Sequence, residues 1–210
     1  MLTYQTRLPR HPRDGQPLLI MLHGRGASEA DMLALARYFQ DVLFVAPRAP
    51  FAAADLGYNG GYAWYRYLGA GAPDPEHFEH SQQALHAFIH HIKGELPVRP
   101  GNLVLGGFSQ GGTMSMGYAL RHPGAVKTVL NLSGFLPEHP SVRVTPDTVA
   151  ATCFYWPHGL NDQAVPFALA EKGRARLLAA NACLIAPDYA IEHDIVPEEI
   201  DDILEILHNF

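Results

Sequence analysis

The chain has 210 residues, of which 48% are hydrophobic and 17% are charged, a composition typical of a globular protein. A chain of this length can bury a substantial core, and we predict a single domain over residues 1–210. A formal net charge of −6 argues against nucleic acid as the main partner, because binding to phosphates requires a basic surface. The sequence has no apolar run near the roughly 18 residues that span a bilayer, and its first residues lack the apolar core of a signal peptide, so we expect a cytoplasmic protein.

Apolar runs and one helical pattern alternate in the N-terminal part of the sequence. Continuous apolar runs predict strands over 17–22 and 42–47. Between them, residues 28–39 have the spacing of a helix, with Ser28 as the N-cap and Asp31 at the capping-box position.

The next segment, 48–75, is rich in Gly, Ala and aromatic residues and has no clear periodicity. An irregular segment of this length in a compact domain is typical of a functional loop. It is followed by an amphipathic helix over 76–96, whose apolar face is formed by Phe78, Leu85, Phe88, Ile89, Ile92 and Leu96.

The remaining sequence continues the alternation of strands and helices. Strands are predicted over 102–108, 126–134, 152–157 and 182–187, and helices over 111–123, 166–180 and 197–210. Strands that are apolar throughout and separated by helices predict an α/β fold, in which a mainly parallel sheet is covered by helices on both faces. In such sheets the chemistry is found at the carboxyl ends of the strands.

Two cysteines, Cys153 and Cys183, lie within apolar runs that predict strands. Neither has a second cysteine at the spacing of metal ligands. We therefore expect two buried, reduced thiols.

The segment "VLGGFSQGGT" (104–113) contains Ser109 in the pattern G-x-S-x-G, directly between a predicted strand and a predicted helix. In this context the pattern forms a nucleophile elbow, a strained turn that exposes the serine hydroxyl at a helix N-terminus. Glycines on both sides remove the side chains that would clash in the turn. Ser109 is therefore the predicted nucleophile.

A serine hydroxyl attacks only when a base accepts its proton, and on this type of sheet the acid and the base follow in later loops. Asp162 follows the strand at 152–157, and His193 lies between the last strand and the last helix. We predict that Asp162 fixes the tautomer of His193, which leaves the second ring nitrogen free to accept the Ser109 proton. The competing candidates are His158 as the base and Asp188, Glu192 and Asp194 as the acid.

Acyl transfer also needs donors for the developing oxyanion. The backbone N–H of Gln110 follows the nucleophile directly, and the segment "MLHGRGAS" (21–28) supplies the backbone N–H of Arg25. His23 is expected to orient this loop. Two interpretations of the Arg25 side chain stay open: it binds an anionic part of the substrate, or it pairs with an internal carboxylate.

Together the segments "LHGRGAS", "APRAP", "GGYAWY", "GGFSQGG", "LSGFLP", "HGLNDQAVP" and "EHDI" resemble the phospholipase/carboxylesterase family of small α/β-hydrolases, over nearly the whole chain. The resemblance implies a cytoplasmic serine hydrolase with an α/β-hydrolase fold, no separate lid domain and neither metal nor other cofactor. It also implies the roles already given to Ser109, Asp162 and His193, and to Arg25 and Gln110 in the oxyanion hole.

The chain departs from the family pattern at two positions. Glu192 stands before the histidine, where the family usually has glycine, and Arg25 stands where the family more often has an apolar residue. A long acyl chain or a lipidated protein is therefore not assumed as the substrate. We predict two-step hydrolysis of a small-molecule ester or thioester through an acyl-enzyme intermediate.

Aromatic and apolar residues in two loops are candidates for the wall of an acyl pocket: Trp64 with Tyr65, and Phe135 with Leu136. We expect the segment 48–75 to lie over the catalytic face and to set the preferred chain length.

Two other classes of function compete with the hydrolase. His86, His90 and His91 on the predicted helix raise the question of a metal site, although they flank its polar side without a carboxylate. A non-catalytic protein of the same fold that binds a ligand or partner is the second alternative. The sequence leaves open the acyl chain, the leaving group, amide or lactone substrates, and whether two chains form a homodimer.

Overall fold

The computed structural model describes residues 1–69 and 71–208 of the chain. In this part, the strands are β1 Tyr4–Arg7, β2 Leu18–Leu22, β3 Leu43–Pro47, β4 Phe51–Ala52, β5 Tyr62–Ala63, β6 Leu103–Phe108, β7 Thr128–Leu132, β8 Cys153–Tyr155, β9 His158–Gly159, β10 Cys183–Ile185 and β11 Asp188–Tyr189. The helices are α1 Glu29–Leu35, α2 Pro75–Glu95, α3 Gln110–Arg121, α4 Pro146–Val149, α5 Phe167–Ala179 and α6 Pro197–His208. The predicted end of the last helix, residues 209–210, lies outside the described residues.

Seven of the described strands form one sheet in the order β1-β3-β2-β6-β7-β8-β10. Only the edge strand β1 runs antiparallel to its neighbour, and the other pairs are parallel. The predicted mainly parallel sheet is confirmed. Two short ladders, β4 with β5 and β9 with β11, lie outside this sheet.

Helices cover both faces of the sheet because its strands bury side chains in two directions. Leu18, Ile20 and Leu22 of β2 belong to a core cluster that α2, α3 and α5 complete. The alternate residues Leu19 and Met21 belong to a second cluster on the opposite face, which α1 and α6 complete. This alternation follows from the two-residue period of a strand, and a strand buried on both sides is apolar throughout.

The predicted helix starts agree with the structure. Ser28 caps α1, and its capping box with Asp31 is complete, because each side chain accepts a hydrogen bond from the backbone of the other. The α-helix ends at Leu35 and continues as a 3-10 turn over Ala36–Tyr38. On α2 the predicted apolar face is buried, except that Leu96, just beyond the helix, is partly buried.

Short elements account for most of the differences from the sequence predictions. The segment 48–75, expected to be irregular, contains β4, a 3-10 turn over Ala53–Leu56 and β5. The edge strand β1 and the one-turn helix α4 were not predicted, because a four-residue element carries too little periodicity to be recognised.

The prediction of two buried, reduced thiols is wrong. Cys153 and Cys183 form a disulfide with their Cα atoms 4.7 Å apart, because they lie directly opposite each other in the parallel pair of β8 and β10. Cys183 is exposed, since β10 is an edge strand of the sheet.

Within the described residues, every helix is either too short or too polar to cross a bilayer.

Candidate active site

Ser109 occupies the turn between β6 and α3, as the sequence predicts. Its backbone angles, φ 55° and ψ −116°, are strained for a residue with a side chain. Space in the turn is very small: a Cβ atom on Gly107 would lie 2.5 Å from the Leu22 carbonyl oxygen, and one on Gly111 would meet the same oxygen. The glycines on either side of Ser109 are therefore required by the close approach of β2 to this turn.

Asp162 and His193 form a direct hydrogen bond of 2.6 Å between Oδ2 and the ring Nδ1. The other carboxylate oxygen of Asp162 accepts from the backbone N–H groups of Ala164 and Val165 at 2.9 and 2.8 Å. The Asp162 carboxylate is held rigidly, since it is fully buried and accepts all three of these hydrogen bonds. Because a carboxylate only accepts, the His193 Nδ1 donates, and Nε2 is the nitrogen left to act as an acceptor.

His193 and Ser109 lie on the same cavity, at the carboxyl ends of β6 and β11. The imidazole packs against the ring of Phe108, the residue before Ser109, with centroids 4.6 Å apart. The described structure contains no hydrogen bond between the Ser109 hydroxyl and His193. Such contacts are often long in unliganded enzymes and shorten when substrate binds.

His158, the competing base, lies behind Asp162 rather than on the cavity. It is fully buried, its Nε2 donates to the carbonyl oxygen of Val165 at 2.8 Å, and the same nitrogen is 3.4 Å from Asp162 Oδ2. Burial lowers the pKa of its imidazole. His158 is therefore a neutral side chain that supports Asp162 and has no access to Ser109.

Of the competing acids, two bind other groups and one is exposed to solvent. Asp188 pairs with the Arg174 guanidinium at 2.6 Å, and Asp194 accepts from the backbone N–H of Ile195. Glu192 is exposed.

The two predicted oxyanion donors, the backbone N–H groups of Arg25 and Gln110, belong to residues that line the cavity with Ser109. Neither N–H donates to any other group in the described part of the chain. The Arg25 loop is held by His23, whose Nδ1 donates to the Gly24 carbonyl oxygen at 2.7 Å and whose Nε2 accepts from the Ala49 N–H at 3.0 Å. Burial lowers the pKa of His23, so the imidazole stays neutral and can keep both bonds.

The cavity has a volume of about 270 Å³ and is mostly apolar. Besides Ser109, Gln110, His193 and Arg25, its lining comprises Gly24, Ala27, Asp31, Met32, Tyr65, Tyr67, Phe108, Phe135, Ala164 and Val165. One wall is aromatic, because the Phe135 ring lies 6.5 Å from the Tyr65 ring and 5.7 Å from the Tyr67 ring.

The structure corrects the predicted pocket wall at two of its four positions. Phe135 lines the cavity, but Leu136, the next residue, points away and borders a separate small cavity against α5. Trp64 is fully buried beneath the site, where its indole N–H donates to the carbonyl oxygen of His23 at 2.9 Å. Trp64 therefore supports the Arg25 loop from below rather than contacting the cavity.

Two features of the site were missed by the sequence analysis. Tyr67 lines the cavity with Tyr65, and the two-residue spacing in "WYRY" is a signal that could have placed both rings on one side. The Gln110 side chain accepts from the Trp64 N–H at 3.1 Å and donates to the Tyr65 carbonyl oxygen at 2.8 Å. Gln110 therefore fixes the aromatic segment over the cavity.

The histidines of α2 do not line this cavity. The His86 ring packs against those of His90 and His122, with centroids 4.5 Å apart in both pairs, and its Nδ1 lies 3.2 Å from the Tyr118 hydroxyl. In residues 1–69 and 71–208, no group of three or more His, Cys, Asp or Glu side chains is arranged to hold a metal ion.

A sequence model of the family described as Phospholipase/Carboxylesterase matches residues 9–210. The chain belongs to the phospholipase/carboxylesterase family. It is therefore a hydrolase, with the α/β-hydrolase fold of that family and, in its described residues, no separate lid domain.

Individual members of the phospholipase/carboxylesterase family are distant relatives. The chain is 26% identical to acyl-protein thioesterase 1 of Emericella nidulans, over 90% of this chain and 88% of that protein. The crystal structure of esterase PE8 superposes with a TM-score of 0.81 at 25% identity, covering 99% of this chain and 98% of the other. The Bacillus cereus carboxylesterase has the same fold, with a TM-score of 0.82 at 20% identity over 100% and 94% of the two chains.

Proposed function

We propose that this chain hydrolyses carboxylic esters of small acids by two-step acyl transfer, with Ser109 as nucleophile and His193 as base. Ser109 Oγ attacks the carbonyl carbon while His193 Nε2 accepts its proton, and Asp162 stabilises the imidazolium that forms. The backbone N–H groups of Arg25 and Gln110 bind the oxyanion. His193 then protonates the leaving group, and water hydrolyses the acyl-enzyme by the same proton transfers in reverse.

One observation carries this proposal. His193, which is hydrogen-bonded to Asp162 at 2.6 Å, lines the same cavity as Ser109, and Ser109 is held in a strained turn between glycines. A binding protein without catalysis has no need to maintain that strain. Thioesters are included as substrates because the fungal relative is named an acyl-protein thioesterase.

The test is the pre-steady-state release of p-nitrophenol from acetyl, butyryl and octanoyl esters by the wild type and by Ser109→Ala. A burst equal to the enzyme concentration, absent from the variant, is the expected result. If the wild type releases no p-nitrophenol and a fluorophosphonate fails to label Ser109, the alternative of a non-catalytic binding protein replaces the proposal.

We further propose that the whole chain acts as one domain in the cytoplasm. One continuous sheet supports the first part, since Ser109 directly follows its strand β6, and the segments that lead to Asp162 and His193 begin at its strands β8 and β10. The second part rests on the sequence and is in tension with the disulfide, because disulfides persist mainly in oxidising compartments. Alkylation of thiols in freshly lysed source cells, followed by mass spectrometry of Cys153 and Cys183, tests it; a bridged pair would contradict a reducing compartment.

A further inference from the structure

The side chain of Arg25 carries a positive charge at the catalytic cavity that no carboxylate of the described chain neutralises. Other arginines on this structure form ion pairs: Arg48 with Glu29, Arg121 with Glu79 and Arg174 with Asp188. Arg25 lies instead over the ring of Tyr58, with its guanidinium carbon 4.8 Å from the ring centroid. Of the two interpretations left open by the sequence, pairing with an internal carboxylate is therefore not observed.

Tyr58, on which the exposed Arg25 side chain stacks, is itself fixed. The Tyr58 hydroxyl accepts a hydrogen bond of 2.5 Å from the backbone N–H of Tyr67, a residue of the cavity wall. Stacking uses one face of the planar guanidinium and leaves its N–H edge open. Among residues 1–69 and 71–208, this edge has no hydrogen-bond acceptor, and a carboxylate could bind it with two parallel bonds.

Arg25 forms no ion pair with the other charged side chains of the cavity among the described residues. Asp31 is committed to the capping box, where its Oδ2 accepts from both the N–H and the hydroxyl of Ser28. His193 is turned toward Asp162. Arg25 is thus the cationic group that faces an incoming substrate.

We infer that the substrate carries an anionic group, such as a carboxylate, a few bonds from the scissile carbonyl, and that the Arg25 guanidinium binds it. The inference rests on the proposed function, because the backbone N–H of the same residue is the proposed oxyanion donor. A side chain attached to that donor reaches only groups near the reacting carbon.

The experiment compares anionic and neutral esters of equal size in two pairs. For an anion in the acyl part, the pair is p-nitrophenyl hydrogen adipate and p-nitrophenyl methyl adipate. For an anion in the leaving group, it is 4-carboxyphenyl butyrate and its methyl ester. We expect Arg25→Gln to lower the ratio of kcat/KM for the anionic ester over the neutral one by about tenfold in one pair, and Arg25→Lys to lower it less. Ratios unchanged by Arg25→Gln in both pairs would overturn the inference.

Arg37→Gln is the matched control, because Arg37 is also stacked on a tyrosine, with its guanidinium carbon 4.7 Å from the Tyr38 ring centroid, but does not line the cavity. It should leave both ratios unchanged, whereas a general effect of net charge would move them equally in the two variants. In wild type, the preference for the anion should weaken as salt is added.

A binding measurement separates this inference from the proposed mechanism. In the Ser109→Ala background, calorimetry needs no turnover and can use monomethyl adipate with dimethyl adipate, and 4-carboxyphenyl butyrate with its methyl ester. Tighter binding of the anion in one pair, lost on adding Arg25→Gln, supports the inference even if the enzyme proves inactive on every ester. Equal binding of the anionic and the neutral compound in both pairs counts against it even if the burst is observed.

Discussion

At the scale of single residues, the site depends on how firmly each polar group is held. Asp162 accepts three hydrogen bonds in a buried position, so its negative charge is fixed behind His193. The strained backbone of Ser109 is local, and the local pattern of glycines is what made it predictable from sequence.

Asp162→Asn should lower kcat by roughly 10³- to 10⁴-fold on p-nitrophenyl butyrate, because an amide can donate to His193 and favour the wrong tautomer. The matched control is Asp188→Asn, a change of the same chemistry in the competing acid that pairs with Arg174. A fall below tenfold for Asp162→Asn, or equal falls for the two variants, would reject the assignment. Circular dichroism of both variants checks that they fold.

Glu199, in the first turn of α6, is an ionisable residue in an unusual place, because its carboxyl group is buried. It is fully buried, neither carboxyl oxygen has a hydrogen-bond partner among the described residues, and burial raises its pKa from 4.5 to about 8. Between these two values the folded protein keeps the proton and the unfolded chain does not. Its contribution to stability is therefore complete below about pH 4.5 and is lost as the pH rises to about 8.

Glu199→Gln removes this titration. Relative to wild type, the variant should gain stability steadily from pH 5 to pH 8, by about 1 kcal/mol or more in the free energy of unfolding. Urea denaturation at several pH values measures the difference, with the exposed neighbour Glu198→Gln as the control. Parallel pH profiles for wild type and Glu199→Gln would show that the carboxyl does not titrate in this range.

At the scale of elements, the site is assembled from loops that are tied together by side chains. The Gln110 amide joins the start of α3 to the segment after β5, and Trp64 in that segment supports the loop after β2. These bonds hold three segments that are far apart in sequence on one side of the cavity.

Gln110→Ala keeps the backbone N–H but leaves the buried Trp64 N–H and Tyr65 carbonyl without their partners. We expect the free energy of unfolding to fall by about 2 kcal/mol, and the aromatic segment to become accessible to proteases. Urea denaturation and limited proteolysis measure the two effects. Gln83→Ala, which removes an exposed glutamine of α2, is the control. Stability unchanged by Gln110→Ala would mean that the amide bonds are dispensable.

The disulfide joins two neighbouring strands that are 30 residues apart in sequence. Closing a loop of this length should stabilise the protein by about 3 kcal/mol, so dithiothreitol should lower the midpoint of urea unfolding. The double variant Cys153→Ser with Cys183→Ser should not respond to dithiothreitol. A midpoint that is equal in oxidised and reduced wild type would contradict this prediction.

The sequence predicted those features that depend on neighbouring residues. Three such features are the turn at Ser109, the Ser28 cap and the apolar face of α2, each of which is determined by residues close to one another in sequence. The disulfide was missed because it depends on which strands lie side by side and in what register, and spacing along the chain does not determine either. Trp64 was misplaced for the same reason, since the direction of its ring is set by packing of the segment 48–75 against the rest of the fold.

At the scale of the whole molecule, the size of the cavity limits the substrate. A volume of about 270 Å³ is slightly below the range of about 300–1,000 Å³ that is usual for small-molecule sites. Its aromatic wall, formed by Tyr65, Tyr67 and Phe135, closes one side.

Short esters should therefore be preferred. We expect kcat/KM to be highest for p-nitrophenyl esters of four to six carbons and at least about tenfold lower for the dodecanoyl ester, because the end of the long chain stays in water. Phe135→Ala should shift the optimum to longer chains, and Leu136→Ala, beside it but off the cavity, should not. An optimum at the dodecanoyl ester in wild type would show that the cavity opens further than the structure indicates.

Residues 153–162 and 183–193 run parallel to each other, and this arrangement limits the insertions and deletions that the protein tolerates. The two segments are joined at their start by the disulfide, then by the β8–β10 and β9–β11 pairs, and at their end by the bond between Asp162 and His193. Inserting or deleting one residue in either segment would shift one segment past the other and separate Asp162 from His193. We expect such insertions to abolish activity in an insertion scan.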